Sequence, residues 1–179
     1  MIRGNNFYLR NLQHEDAQAQ LDLFVKNRLF FEPFLMTSGD EFYTLEHHQH
    51  RIEKQISNIK EDKAYSFGIF LNENDQLIGN LNLFQVIRGA LQGAFIGYFL
   101  DKDVNGKGYT TEAVKLAVNY AFEELKLHRI EAGVMPHNLA SLRVLEKSGF
   151  HKEGIAIKNV LINGKWEDHQ VLAIINPND

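Results

Sequence analysis

Phe95-Ile-Gly-Tyr-Phe-Leu-Asp-Lys-Asp-Val-Asn-Gly-Lys-Gly-Tyr-Thr-Thr-Glu-Ala113 decides the reading of this chain. An apolar run with strand character ends in a turn, and Asn105-Gly106-Lys107-Gly108-Tyr109-Thr110 leads directly into an amphipathic helix. A loop with two glycines at a helix start points several free backbone N–H groups at one spot, where the helix dipole also favours negative charge. Glycine lets that backbone approach an anion with no Cβ in the way. The spacing describes a phosphate seat, with a plain tight turn capped by glycine as the alternative. It is not a Walker A loop, because no Gly-Lys-Ser/Thr follows at the required spacing. Nor is it the dinucleotide fingerprint, which needs a third glycine and a later acidic residue.

A second segment narrows the choice. Arg129-Ile-Glu-Ala-Gly-Val-Met-Pro136 reads as another strand, followed by His137-Asn138-Leu-Ala-Ser141-Leu-Arg-Val-Leu-Glu-Lys-Ser-Gly149-Phe150. Taken together, the Gly-Lys-Gly-Tyr-Thr-Thr-Glu-Ala and Asn-x-Ala-Ser-x-x-Val-Leu-Glu-Lys-x-Gly-Phe blocks resemble the GCN5-related N-acetyltransferases. Within them, the order and flanks are most similar to the ribosomal-protein N-terminal acetyltransferases of the RimJ/RimL type. The resemblance runs from Phe7 to Asp168.

At 179 residues and 44% hydrophobic, the chain suits one compact domain, 1–179, with a full core. A net charge of −4 argues against nucleic acid as a partner, since binding phosphates needs a basic face. The chain has no cysteine, so disulfides, thiolate metal sites and a cysteine nucleophile are excluded. The first residues hold no apolar signal core and no apolar run reaches membrane-spanning length, so a cytoplasmic protein with no membrane partner is expected. A homo-oligomer stays open.

Periodicity places a strand at Phe7–Leu12 and a helix from about Glu15 with Leu21, Phe24 and Val25 inward, broken near Pro33. Thr44 is the expected N-cap of a helix reaching about Lys60, with Leu45, Ile52, Ile56 and Ile59 on one face. Tyr65–Leu71 and Leu77–Val86 read as a hairpin, Ala94–Asp101 as a strand, and the run from Thr110 as a helix. Arg129–Pro136, a helix over Leu139–Lys147, and strands Glu153–Leu161 and Trp166–Ile175 around Asn163-Gly164 complete the chain. Hairpins first and helix-separated strands later indicate an α/β (α+β) fold with a mixed sheet. The resemblance implies a mostly antiparallel central sheet, flanked by helices, with one parallel pair splayed at its C-terminal ends. Acetyl-CoA would lie in that wedge, against the open edge of Phe99, Leu100 and Asp101.

The resemblance also assigns residues. Asn105, Gly106, Lys107, Gly108, Tyr109 and Thr110 become the pyrophosphate site, chiefly through backbone N–H groups. Asn105 stands where the family uses Gln or Arg, and Thr110 where it uses Gly or Ala; Thr110 is a candidate N-cap. Arg143 is a candidate for the 3′-phosphate of CoA, and Lys107 for screening phosphate charge. Asn138 opens a helix, where Asn is a favoured cap, and in the family it also contacts the cofactor arm. Many members carry a tyrosine general acid at the position of Leu145. The RimL-like subset resembles this chain in placing serine at Ser141, which protonates the departing CoA thiolate; the rival role is a helix serine bonding its own backbone. The position of a RimL-type carboxylate is Val160, leaving Glu32, Glu112, Glu131, Glu153, Asp168, His128 and His137 as base candidates, with Glu112 expected to be structural.

An α-amine has a pKa of about 7.7–8.0, so roughly a fifth is neutral near physiological pH, against about one lysine amine in a thousand. A missing base therefore favours the N-terminal α-amine of a protein as acceptor, by resemblance a ribosomal one. A small amine (polyamine, aminoglycoside or amino acid) and a non-catalytic acyl-CoA-binding protein are the rivals. His47, His48 and His50 lack a His-Glu-x-x-His pattern, so a solvated helix face, not a metal site, is expected. Phe30, Phe31, Phe34, Phe42 and Tyr43 are core or the wall of an acceptor pocket.

Overall fold

A computed structural model of the chain describes residues 1–36 and 39–179. Its strands are β1 (Ile2–Arg3), β2 (Phe7–Arg10), β3 (Tyr65–Leu71), β4 (Leu77–Ile87), β5 (Gly93–Leu100), β6 (Arg129–Val134), β7 (His151–Ile162) and β8 (Lys165–Ile175). The helices are α1 (Ala17–Lys26), α2 (Arg28–Phe31), α3 (Leu45–Lys60), α4 (Tyr109–Glu123) and α5 (Leu139–Lys147). The strands form one sheet in the order β1-β2-β3-β4-β5-β6-β8-β7. Every pairing is antiparallel except β5 with β6. The expected mixed sheet is therefore present; β1, too short to show a period, was not expected.

The parallel pair is short. Gly93, Ala94 and Phe95 pair with Arg129, Ile130 and Glu131, and there the ladder stops. Beyond it β5 stays with β4 as far as Leu100 opposite Gly79, while β6 stays with β8 as far as Val134 opposite Gln170. The C-terminal halves thus part, as expected. A bulge in β4, where Gln85 takes φ +50°, bends the sheet beside the last paired residues.

Two cores cover the sheet. On one face Ala113, Val114, Ala117, Val118 and Ala121 of α4 and Leu145 of α5 pack on Leu81, Leu83, Ile96 and Leu100. On the other, Leu23 and Phe24 of α1, Phe31 of α2 and Ile52 of α3 pack on Phe70 and Leu77, with Phe99 at the edge. Side chains alternate along a strand, so Ile96, Tyr98 and Leu100 face α4 and α5 while Phe99 faces α1. The α1 stripe departs from the expected one: a 3₁₀ turn at His14–Asp16 precedes the helix, its buried face is Ala17, Gln20, Leu23 and Phe24, and Val25 is exposed. Leu45, expected inward, is also exposed.

α1 clamps the end of β5. Lys26 Nζ lies 2.7 Å from the buried carboxylate of Asp101 and 2.8 Å from Asp103. The Lys102 N–H donates to Asn27 Oδ1 at 3.0 Å. α5 ends in a Schellman motif: Phe150 N–H donates to Leu145 O at 3.0 Å and Gly149 N–H to Glu146 O at 3.1 Å, with Gly149 at φ +97°.

Thr44 caps α3 as expected, its hydroxyl accepting from His47 N–H at 3.3 Å. The solvated histidine face does not hold throughout. His50 is exposed and His47 partly so, but His48 is fully buried, its ring 5.5 Å from that of Phe24. The helix turns His48 onto the side of Ile52, and neither of its ring nitrogens has a partner among the described residues. Burial, then the nearby Arg51 guanidinium, pushes its pKa down to about 4. The folded state therefore resists protonation that the unfolded chain accepts near pH 6.5. Stability contributed by neutral His48 is present above that pH and is lost as pH falls towards 4. We expect a loss of about 3 kcal/mol from this group near pH 4. His48→Leu should remove that component in urea titrations between pH 7 and 4; an unaltered pH slope would contradict it.

Candidate active site

The parted strands open into a cleft of about 530 Å³, within the usual range for ligand sites. Phe99 and Leu100 of β5, the Asn105, Gly106, Gly108, Tyr109 and Thr110 segment, and Asn138, Ser141 and Arg143 of the α5 region all line it. These are residues the sequence singled out. Lys107 is the exception: it is exposed, outside the lining, and its ammonium stands 5.9 Å from the Tyr109 ring centroid.

Gly106 and Gly108 hold φ +80° and +79°, the left-handed region that glycine occupies without strain. A Cβ built on either would meet nothing within 4 Å, so the backbone fronts open space. Gly108 is the N-cap of α4, and its carbonyl accepts the Glu112 N–H at 3.1 Å. Thr110 is accordingly the second residue of the helix and not its cap, because Gly108 already occupies that place. The first-turn amides of α4 precede any intrahelical partner and are directed towards the loop. Such a cradle fits a pyrophosphate.

The open edge of β5 supplies the second element. Asp101 N–H donates to Ile78 O on β4 at 2.7 Å. Amides along a strand alternate in direction, so Leu100 N–H and C=O turn the other way, into the wedge where β6 has left. An extended ligand arm with amide groups can pair with them.

Asn138 caps α5, its Oδ1 accepting the Ser141 N–H at 3.3 Å, and also lines the cleft. Ser141 Oγ lies 2.8 Å from the Tyr98 hydroxyl. Tyr98 lies within the strand that opens the deciding stretch but carries no role in the sequence reading, although strand alternation places it with Leu100 on the α5 side. Thr111, Val144 and Lys147 line the cleft too. Lys147 follows Arg143 by four residues, a helical spacing that could have flagged it.

Most of the base candidates are engaged elsewhere. Glu112 accepts Asn5 N–H at 2.7 Å and holds the N-terminal segment, as its structural role requires. Arg129 binds Glu131 at 2.7 Å and Glu153 at 2.5 Å, and the Arg129 guanidinium, then His151, holds Glu153 down at about 2. Asp168 accepts Lys158 N–H at 2.8 Å, and His128 pairs with Asp179 at 2.8 Å. Glu32 pairs with Arg28 at 3.2 Å. His137 is exposed, its ring 6.3 Å from Phe34 at the cleft wall.

Residues 6–151 match the model of the acetyltransferase (GNAT) domain family. Over its full length the chain is 62% identical to a probable N-acetyltransferase, YjcK, of Bacillus subtilis strain 168, covering 99% of that protein. It is 32% identical to the ribosomal protein uS5 alanine N-acetyltransferase of Escherichia coli strain K12, covering 98% of this chain and 91% of that one. Among solved structures, RimJ of Mycobacterium smegmatis in complex with CoA-disulfide superposes with a TM-score of 0.91 at 27% identity, over 96% of this chain and 83% of that one.

The cradle yields a direct prediction. Gly108→Ala places a methyl group in the open space the backbone faces and strains the left-handed residue by about 1–2 kcal/mol. We expect the variant to stay folded, with a few degrees lost in Tm, and to bind CoA at least about tenfold more weakly by calorimetry, the effect of losing roughly one good hydrogen bond. Unchanged affinity would move the phosphate site out of this loop.

Proposed function

Because the chain belongs to the GNAT acetyltransferase family and is an acetyl-CoA-dependent N-acetyltransferase, we propose that its acceptor is the N-terminal α-amine of a protein, a ribosomal protein foremost. The observation that carries this reading is the character of the cleft. Among the described residues its lining holds no aspartate or glutamate, which a polyamine or aminoglycoside would need as counter-charge. One wall is instead aromatic, formed by Phe30, Phe31 and Phe34. A peptide offers apolar side chains to such a wall, and one α-amine to the interior. The relative acting on the alanine of uS5, matched over 98% of this chain, points the same way.

In this mechanism the neutral amine attacks the thioester carbonyl, forming a C–N bond. The oxyanion that develops is held by Leu100 N–H, a fixed dipole in the wedge. The C–S bond then breaks, its electron pair staying on sulfur, beside the Ser141 hydroxyl. One proton leaves nitrogen and one proton ends on the thiol. A thiol of pKa about 8.5 is a good leaving group, so a hydrogen-bond donor suffices where a poorer one would need a strong acid. With the carboxylates near the sheet engaged in ion pairs and backbone bonds, water takes the amine's proton.

If so, kcat/KM should rise with pH and level off near the substrate's own amine pKa, about 7.7–8.0. Changing the first residue of the peptide should move that inflection when chemistry limits the rate. Peptides with a blocked N-terminus and a free lysine should be poor acceptors near neutrality. An inflection fixed across peptides would reveal a dedicated enzyme base. Efficient turnover of blocked lysine peptides or of spermidine, with none at free N-termini, would refute the proposed acceptor.

A further inference from the structure

Tyr98 projects from the parted half of β5, and its hydroxyl crosses to the first turn of α5. The phenolic oxygen lies 2.8 Å from Ser141 Oγ and 3.4 Å from the Ser141 carbonyl oxygen. Ser141 is thus held at two points, its N–H by Asn138 and its hydroxyl by Tyr98. Each hydroxyl carries one proton and can accept others. Both acceptors within reach of the Tyr98 proton belong to Ser141. A phenol is also the stronger donor of the two, so the proton between them is supplied by tyrosine. Ser141's own proton then has no other hydrogen-bond partner among the described residues, and Ser141 lines the cleft.

We propose that Tyr98 is a positioning residue for acetyl transfer: by donating to Ser141 Oγ it aims the serine's proton at the sulfur of CoA, and the two hydroxyls act as one donor to the departing thiolate. This rests on the reading of Ser141 as the group facing that sulfur. The pair donates hydrogen bonds and gives up no proton. Burial pushes the Tyr98 hydroxyl up to about 12. A CoA thiolate, whose thiol has the ordinary pKa of about 8.5, would take a proton from that phenol only against an unfavourable equilibrium of roughly three-thousandfold. The C–S bond therefore breaks to a thiolate hydrogen-bonded by Ser141, and the proton that later neutralises sulfur balances the one released by the amine nitrogen. Tyr98 strengthens the serine as a donor because linked hydroxyls polarise one another.

Bound CoA is itself the probe. The chain has no cysteine, so the CoA thiol is the sole thiol in the complex and its ionisation can be followed by ultraviolet absorbance. A parallel titration with desulfo-CoA subtracts the tyrosines. In the wild-type complex the thiol should titrate about one unit below its ordinary value near 8.5. Tyr98→Phe should raise it most of the way back, Ser141→Ala fully, and the double variant no further than Ser141→Ala. An unshifted thiol in the wild type, or a Tyr98→Phe complex matching the wild type, overturns the proposal. In turnover, Tyr98→Phe should lower kcat about tenfold with KM for acetyl-CoA unchanged, and the double variant should be no slower than Ser141→Ala. Losses that multiply in the double variant would show Tyr98 acting independently of Ser141, and weakened CoA binding in Tyr98→Phe would assign it to holding the wedge; either overturns the proposal. An error in the proposed acceptor would appear only in peptide selectivity and would leave the thiol titration unaffected.

Discussion

Backbone amides inside a sheet must be paired, and β5 cannot pair on both sides along its whole length. After Phe95 and Glu131 it parts from β6, while each strand keeps its outer neighbour. An unpaired N–H or C=O in a protein interior is costly, so a gap in the middle of a sheet persists only where water or a ligand can enter it. Everything distinctive about this molecule follows from keeping that gap open. The strand edge facing it offers Leu100 as donor and acceptor, and the loop leaving β5 runs straight into the glycine cradle. One strand thus delivers both the edge that can take an extended ligand arm and the seat that can take its phosphates.

Such a gap would close if its walls could slide. The wall on the β5 side is fixed by charge: Asp101 is buried and bound by Lys26, and Asn27 accepts from Lys102. These contacts tie the end of α1 to the last residues before the phosphate loop. A buried carboxylate with its partner removed is strongly destabilising, so this clamp has little freedom to open. The wall on the α5 side is fixed by its caps, Asn138 at the start and the Gly149 Schellman turn at the end. Tyr98 spans the two walls. The functional groups are therefore held by elements that the cores on both faces of the sheet keep in place, and the cleft is preorganised for its ligand.

How much of this was legible in the sequence depended on the range of the interaction. The glycine loop announced itself because positive φ and an uncluttered backbone both demand glycine locally, and Gly106 and Gly108 hold φ +80° and +79° with open space before them. Asn138 and Thr44 were legible because capping is decided within one helical turn. Thr110 was misplaced as a cap because Gly108, also able to cap, sits two residues earlier. His48 looked like its neighbours His47 and His50, but one step of helical rotation buries it against Phe24. Tyr98 was invisible as a partner of Ser141 because the two are 43 residues apart and meet only once the sheet has parted. The engagement of Glu131 and Glu153 by Arg129 is likewise a tertiary fact, set by how the strands carrying them are brought together.

The central claim is that the Leu100 amide is left without a protein partner so that it can serve the ligand. Amide hydrogen exchange resolved at single residues tests it. In the free protein Leu100 N–H should exchange far faster than Phe99 and Asp101 on either side, despite lying in a central strand, and acetyl-CoA should slow it by orders of magnitude. A Leu100 amide already as protected as its neighbours without ligand, or one whose exchange acetyl-CoA leaves unchanged, would contradict the account.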